Sequence, residues 1–188
     1  MFTSFSVIFQ NSKLYQGVQI KIDSTKIKEL KKAETYIQAY IDKKDQLCIL
    51  TKDGRKIIIQ KDTDQVGFEQ IHISADGHSV GWLASYPNSS TSYPIPLVLI
   101  IYANGTLHAF KGNELPIWKW QFNSDSKLVA YEQETVHGSL GIHYELREIT
   151  SERMIDSYEP EYGPDNRVLK IRQNPPKWVK ELNETNMK

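Results

Sequence analysis

The sequence predicts a mainly β fold built from antiparallel four-stranded meanders, on three observations. Short stretches rich in Val, Ile, Tyr, Phe and Trp alternate with turn signals such as Asp53-Gly54, Asp76-Gly77 and Asn104-Gly105, the pattern of strands joined by tight turns. The run that begins at Ile71 and ends at Trp82 aligns without gaps on the run from Trp120 to Tyr131, 49 positions later. Each copy reads as strand, Asp-centred turn, strand, and is followed by a long loop and a second hairpin, over 97–102 with 107–110 in the first and 142–149 with 154–158 in the second. A fixed period of this kind determines the fold class more than any single motif.

Taken in order, residues 5–9 and 18–22 alternate apolar and polar side chains and read as strands. From Ser24 the spacing changes: Ile27, Leu30, Ala33, Ile37 and Tyr40/Ile41 recur every three to four residues with lysines between them, which predicts an N-terminal helix capped by Ser24. Residues 36–41 also read as a strand following a shorter helix. A β-hairpin comes next, 47–51 and 57–59 around Lys52-Asp53-Gly54-Arg55. The Asn104-Gly105 turn lies 51 positions beyond Asp53-Gly54, so this hairpin reads as the last two strands of a preceding unit, and the chain holds two complete meanders and half of a third. At the end, Pro175-Pro176 opens a short helix whose Trp178, Val179 and Leu182 form one apolar face, as expected of a cap on the sheet. The whole reads as a single domain, 1–188: N-terminal strands and helix over 1–45, repeats over 46–160, a C-terminal cap and tail over 161–188.

Composition excludes several classes of function. Lys plus Arg equals Asp plus Glu, 23 against 23, so no global field draws the chain to nucleic acid or an anionic membrane, and no apolar stretch approaches the length of a membrane-spanning helix. The single cysteine, Cys48, stands in the apolar run Leu47-Cys48-Ile49-Leu50 and reads as a packing residue, without an internal disulfide or thiolate metal cluster. The opening ten residues carry neither a basic start nor a cleavage site. We expect a soluble protein, cytoplasmic, or periplasmic or secreted if a leader has been trimmed.

In a meander the loops joining second to third strands leave one end of the sheet, the other turns the opposite end. The loops over 85–96 and 133–140, with the link over 111–116, therefore gather Tyr86, Asn88, Tyr93, Asn113, Glu134 and His137 on one rim, where binding residues on rigid scaffolds tend to lie. Tyr86-Pro87 and Tyr93-Pro94 equally read as stiff braces. Trp118 and Trp120 flank Lys119, so a regular strand would point both indoles to one side; they read as core, with Trp118 joining the rim anchors if exposed. His137, His143 and Glu145 invite a metal hypothesis, but no recognised ligand spacing is present, and no metal or cofactor is expected. Glu132, Glu134 and Glu145 could pair as glycosidase carboxylates, yet alternation on an exposed strand explains them as well. Ser139 lacks a nucleophile elbow and Ser74-Ala75-Asp76 belongs to a turn. No catalytic residue is assigned.

The segments Ile71, Ser74-Ala75-Asp76-Gly77 and Phe122-Asn123-Ser124-Asp125-Ser126 resemble the strand, Ser-x-Asp-Gly, strand signature of Tol-B-type β-propeller repeats. More closely, Val66-Gly67-Phe68-Glu69-Gln70, Gly81-Trp82-Leu83, Tyr86-Pro87-Asn88, Thr91-Ser92-Tyr93-Pro94-Ile95-Pro96, Leu115-Pro116-Ile117-Trp118, Thr135-Val136-His137-Gly138 and His143-Tyr144-Glu145-Leu146-Arg147 resemble a group of uncharacterised bacterial proteins with propeller-like repeats. The resemblance covers residues 45–182 and departs at Ser89-Ser90, where that group tends to carry Cys-Cys. It implies blade-like units in an incomplete propeller or an open twisted sheet, and it carries no activity. The expected function is a non-enzymatic binding or scaffold protein offering the loop rim, or an exposed edge strand, to a protein or peptide partner, with homo-oligomers possible. The alternatives are a metal-assisted or carboxylate-based hydrolase and a structural subunit that completes a larger propeller.

Overall fold

The computed structural model describes residues 34–112, 115–137, 141–161 and 174–185, all within the unit Lys32–Lys188. They form three antiparallel sheets and one helix. The first sheet takes β1 (Tyr36–Ile41), β2 (Leu47–Thr51) and β3 (Lys56–Ile59) in that order. The second takes β4 (Gly67–Ile73), β5 (Ser79–Tyr86), β6 (Ile95–Ala103) and β7 (Thr106–Lys111). The third takes β8 (Ile117–Phe122), β9 (Leu128–Glu134), β10 (Ile142–Glu148) and β11 (Met154–Tyr158). Helix α1 (Lys177–Thr185) follows. Both complete meanders stand where the sequence period puts them.

The turns explain the period. Between β4 and β5, the Asp76 carboxylate accepts the His78 amide at 3.0 Å and the Ser74 hydroxyl accepts the Ser79 amide at 2.9 Å. Between β8 and β9, Asp125 accepts the Lys127 amide at 2.9 Å and the Asn123 side chain accepts Leu128 at 2.9 Å. The two turns share even the left-handed residue: φ is +73° at Gly77 and +61° at Ser126, its counterpart. Asn104 and Gly105, at +51° and +79°, make the doubly left-handed turn that hairpin twist favours.

The sheets stack face to face through separate apolar layers. Tyr36, Leu47 and Ile49 of the first meet Val80 and Trp82 of the second. Leu83, Leu99, Ile101 and Phe110 of the second meet Ile117, Trp120, Val129 and Tyr131 of the third. The far face of the third sheet, at Ala130, Tyr144 and Leu146, is covered by Val179 and Leu182 of α1. Pro176 opens that helix, its carbonyl accepting the amides of Val179 and Lys180. At Gly81 the second layer is so tight that a Cβ would collide with the Trp120 ring and Ile101.

Three expectations change. Residues 36–41, read either as the end of the N-terminal helix or as a strand after a shorter one, are strand β1; residues 24–33 and the strands expected at 5–9 and 18–22 lie outside the described residues. The helical spacing of Ile37, Tyr40 and Ile41 coincides there with a β-branched and aromatic run, and pairing with β2, from Ile41 opposite Leu47 to Tyr36 opposite Thr51, decides the outcome. The first unit is accordingly a three-stranded sheet among the described residues, one strand more than the expected half. At Trp118 the register of β8 slips, with Ile117 opposite Gln133 and Lys119 opposite Glu132. This bulge puts Ile117 and Trp120 into one core and takes Trp118 out of alternation with Trp120.

Candidate functional site

Two contacts align the second sheet with the third. The Trp120 indole donates to the Gln70 carbonyl at 3.1 Å while the Gln70 side chain donates to the Trp118 carbonyl at 2.8 Å; Gln70 sits in a bulge of β4 with φ at +47°. At the other end His108, just after the β6–β7 turn, faces Glu152 in the β10–β11 turn at 3.2 Å. The third-to-fourth-strand turns of both sheets thus lie at one end, and β5 and β9 end, at Tyr86 and Glu134, at the opposite one.

The loop at 87–94 is tied to itself. The Asn88 side chain accepts the Ser90 amide at 3.1 Å and the Thr91 hydroxyl donates to the Tyr93 carbonyl at 2.5 Å. Those bonds leave Tyr93 52% exposed, whereas Tyr86, at the end of β5, is half-buried. His137 is exposed just beyond β9. Trp118 and Glu134 are brought together: the indole donates to the Glu134 carbonyl at 3.0 Å, and the Glu134 amide to Pro116 at 3.2 Å. Trp118 is therefore a half-buried tie. Asn113 lies outside the described residues.

The carboxylates divide between two faces. Glu132 stands opposite Tyr144 on the face that α1 covers, bonded to Lys119 at 2.9 Å, and Lys119 reaches Asn183 of the helix at 3.4 Å. Glu145 stands opposite Tyr131 on the face turned to the second sheet, fully buried. Adjacent residues of a strand point to opposite faces, so Glu132 and Glu145 cannot flank one glycosidic bond.

Around Glu145 the residues form an ionic seam. Its Oε2 accepts the Tyr131 hydroxyl and the Arg147 Nε, each at 2.5 Å, and its Oε1 lies 3.1 Å from His143 Nε2. His143 Nδ1 lies 2.8 Å from Glu159 Oε1, and Arg147 Nη1 donates to the Glu152 carbonyl at 3.0 Å. Burial by itself would push Glu145 above the usual carboxylate range; the bonds from Arg147 and Tyr131, with the guanidinium charge, outweigh it and hold the carboxyl below that range. Burial first, and then the bond to Glu145, push the Tyr131 hydroxyl up.

No protein-family model matches the chain, and no curated protein matches it. The chemistry must be read from the site itself. Among the described residues no group of three His, Cys, Asp or Glu side chains is arranged to hold a metal ion; His143 has both ring nitrogens directed at separate carboxylates, and His137 is exposed beyond β9. Among the described residues no helix is long and apolar enough to cross a membrane. The sequence reading singled out His143 and Glu145 but missed Tyr131, Arg147 and Glu159. The signal was present in His143, Glu145 and Arg147, three ionisable residues at alternate positions on one strand face.

Proposed function

We propose that the chain is a non-enzymatic binding or scaffold module that presents the loop rim to a protein or peptide partner. The observation that carries this reading is Tyr93: an aromatic side chain 52% exposed on a loop held by its own hydrogen bonds. Aromatic anchors dominate binding energy at interfaces, and a loop already tied loses less entropy on binding. His137, exposed beyond β9, would add a polar contact. Tyr131, Glu145 and Arg147, in contrast, are spent on one another. We read the sheets as blade-like units of an open stack, and α1 favours a binding module over a ring subunit, because a further blade would need the sheet face the helix covers.

The test compares wild-type bait with a Tyr93→Ala, His137→Ala variant, both shown folded by circular dichroism, in affinity capture from lysate followed by titration with the purified partner. A partner bound by wild type and weakened by the variant at least about tenfold, the loss of a moderate hot spot, supports the reading. Equal affinity for both baits sinks it. A second reading rests on β11, an edge strand with Met154 46% and Ile155 43% exposed, which could add a partner's strand; binding lost in Ile155→Lys yet intact in the rim variant would favour it.

A further inference from the structure

Among the described residues the strands at sheet edges are β1 and β3, β4 and β7, β8 and β11. All but one carry a charged side chain: Lys56 on β3, Glu69 on β4, Lys111 on β7, Lys119 on β8 and Asp156 on β11. Such charges are a common protection of an edge against pairing with another chain. β1 carries none, and neither proline nor glycine; its β-branched and aromatic residues favour pairing. The repeat explains this composition. β2 and β3 join at Asp53-Gly54 as β6 and β7 join at Asn104-Gly105, so β1 is the counterpart of β5 and β9, interior strands flanked by β4 and β8. An interior strand's composition thus stands at an edge, with Ile37 60% and Ile41 38% exposed.

The backbone groups on that edge follow from the pairing with β2. The Asp42 amide donates to the Gln46 carbonyl at 2.9 Å, toward β2, and in an antiparallel pair alternate residues bond the same neighbour. Tyr40, opposite Cys48, therefore bonds β2 as well. Ala39 and Ile41, opposite Ile49 and Leu47, turn their amides and carbonyls to the other side, where no described strand pairs. Tyr36 does not share in that opening: its amide donates to the Gly77 carbonyl at 2.7 Å, and the register slips between Tyr36 and Gln38. The regular open stretch is 38–41.

We propose that β1 is a self-pairing edge, at which a second copy of this chain adds its own β1 antiparallel and joins the two first sheets into one. A two-fold axis at Tyr40 sets Ala39 of each copy against Ile41 of the other, and each such pair exchanges both its backbone hydrogen bonds. The Tyr40 side chains of the two copies meet as an aromatic cross-strand pair, and Gln38 of each copy stands opposite Asp42 of the other. Charge selects a copy as the occupant. Two copies bring identical charges to their shared axis, so a charged edge repels its own copy; among the described edges β1 alone escapes this. So short a pairing lies at the weak, concentration-dependent end of interfaces. It uses none of the rim residues, so either proposal can fail without the other.

Sedimentation velocity on the full chain, from about 10 μM to about 1 mM, tests it. We expect a monomer–dimer equilibrium in wild type and a monomer throughout in Ala39→Pro, which removes an amide facing the open edge and none facing β2. Should that variant fail to fold, the exposed position 38 decides. Gln38→Lys, opposite Asp42 across the axis, should tighten the dimer about threefold or more, and Gln38→Glu should loosen it by as much. A wild type that stays monomeric overturns the proposal, whatever then covers β1. So does a folded Ala39→Pro variant that dimerises like wild type, or a dimer of equal affinity in both Gln38 variants.

Discussion

Replacing Glu145 by Gln removes one charge and almost no volume, and the consequences follow from its partners. The carboxylate is fully buried and accepts from Arg147 and Tyr131, each at 2.5 Å. In the variant the amide NH₂ either faces the Arg147 Nε, where donor meets donor, or faces His143 Nε2 and leaves Arg147 with a neutral amide oxygen in place of its carboxylate. Leaving one member of a buried ion pair without its partner costs about 3–5 kcal/mol. The Arg147 side chain keeps 22% of its exposure and can recover some hydration, which favours the lower end, about 3 kcal/mol. For a chain of 188 residues that corresponds to a fall in Tm of roughly 6–12 °C.

The pH dependence gives a second handle with a definite sign. The Glu145 carboxyl titrates below its ordinary range in the fold, so its contribution is present at pH above the unfolded carboxylate range and is lost as pH falls through that range to the folded one. Thermal unfolding of wild type and Glu145→Gln, followed by circular dichroism from neutral to about pH 3, should show a gap that is widest near neutrality and closes on acidification. A gap below about 0.5 kcal/mol at neutral pH, the scatter of ordinary surface changes, or a gap independent of pH, would refute the account of the seam.

Two further expectations concern the scaffold. At Ser126 a left-handed φ of +61° and a buried hydroxyl without a hydrogen-bond partner among the described residues both favour glycine, by about 1–2 kcal/mol for the backbone and about 1 kcal/mol for the hydroxyl. Against this stands a loss of up to about 1 kcal/mol from the freer unfolded chain, so Ser126→Gly should stabilise by about 1–2 kcal/mol in urea unfolding. The reverse exchange, Gly77→Ser, should destabilise, because φ there is +73° and a Cβ would lie 3.2 Å from Thr35 Cγ2; stabilisation by it would break the equivalence of the two turns. Leu182→Ala, which empties a fully buried position under α1, should cost about 3 kcal/mol in the same assay, while Lys180→Ala on the exposed side should stay within about 0.5 kcal/mol.

The parts of the fold that were legible in the sequence are those specified by neighbours in the chain. Asp76 and Asp125 bond amides two residues on, so the turns could be recognised from their own few residues, and with them the meanders. Tyr36 illustrates the limit. Its six-residue segment satisfies helical and strand periodicity alike, and the partner that decides between them, Thr51, is remote in sequence. The bulge at Trp118 is of the same kind, since nothing local marks the slip against β9, yet it turns an anticipated anchor into a tie to the Glu134 carbonyl. On the rim, Tyr93 could be placed because its loop is bounded by strands the turns had already located. The seam could be read only by halves: His143, Glu145 and Arg147 share a face by alternation, whereas Tyr131, Glu152 and His108 join them through register and sheet packing.

The two faces of the third sheet are covered by different chemistry, and the difference constrains what the stack can become. Toward the second sheet, the apolar layer is joined by a cluster of mutually dependent ionisable groups around the buried Glu145, which accepts few substitutes. Buried ionic clusters contribute little net stability relative to apolar packing, and their best-attested use is to select one arrangement among several. Toward α1, the cover is mostly apolar, with Lys119, Glu132 and Asn183 as its polar component, and α1 occupies the surface on which another sheet would have to pack. If the chain binds a partner as proposed, both of these faces of the third sheet are already occupied, whereas Tyr93 and Ile155 are exposed.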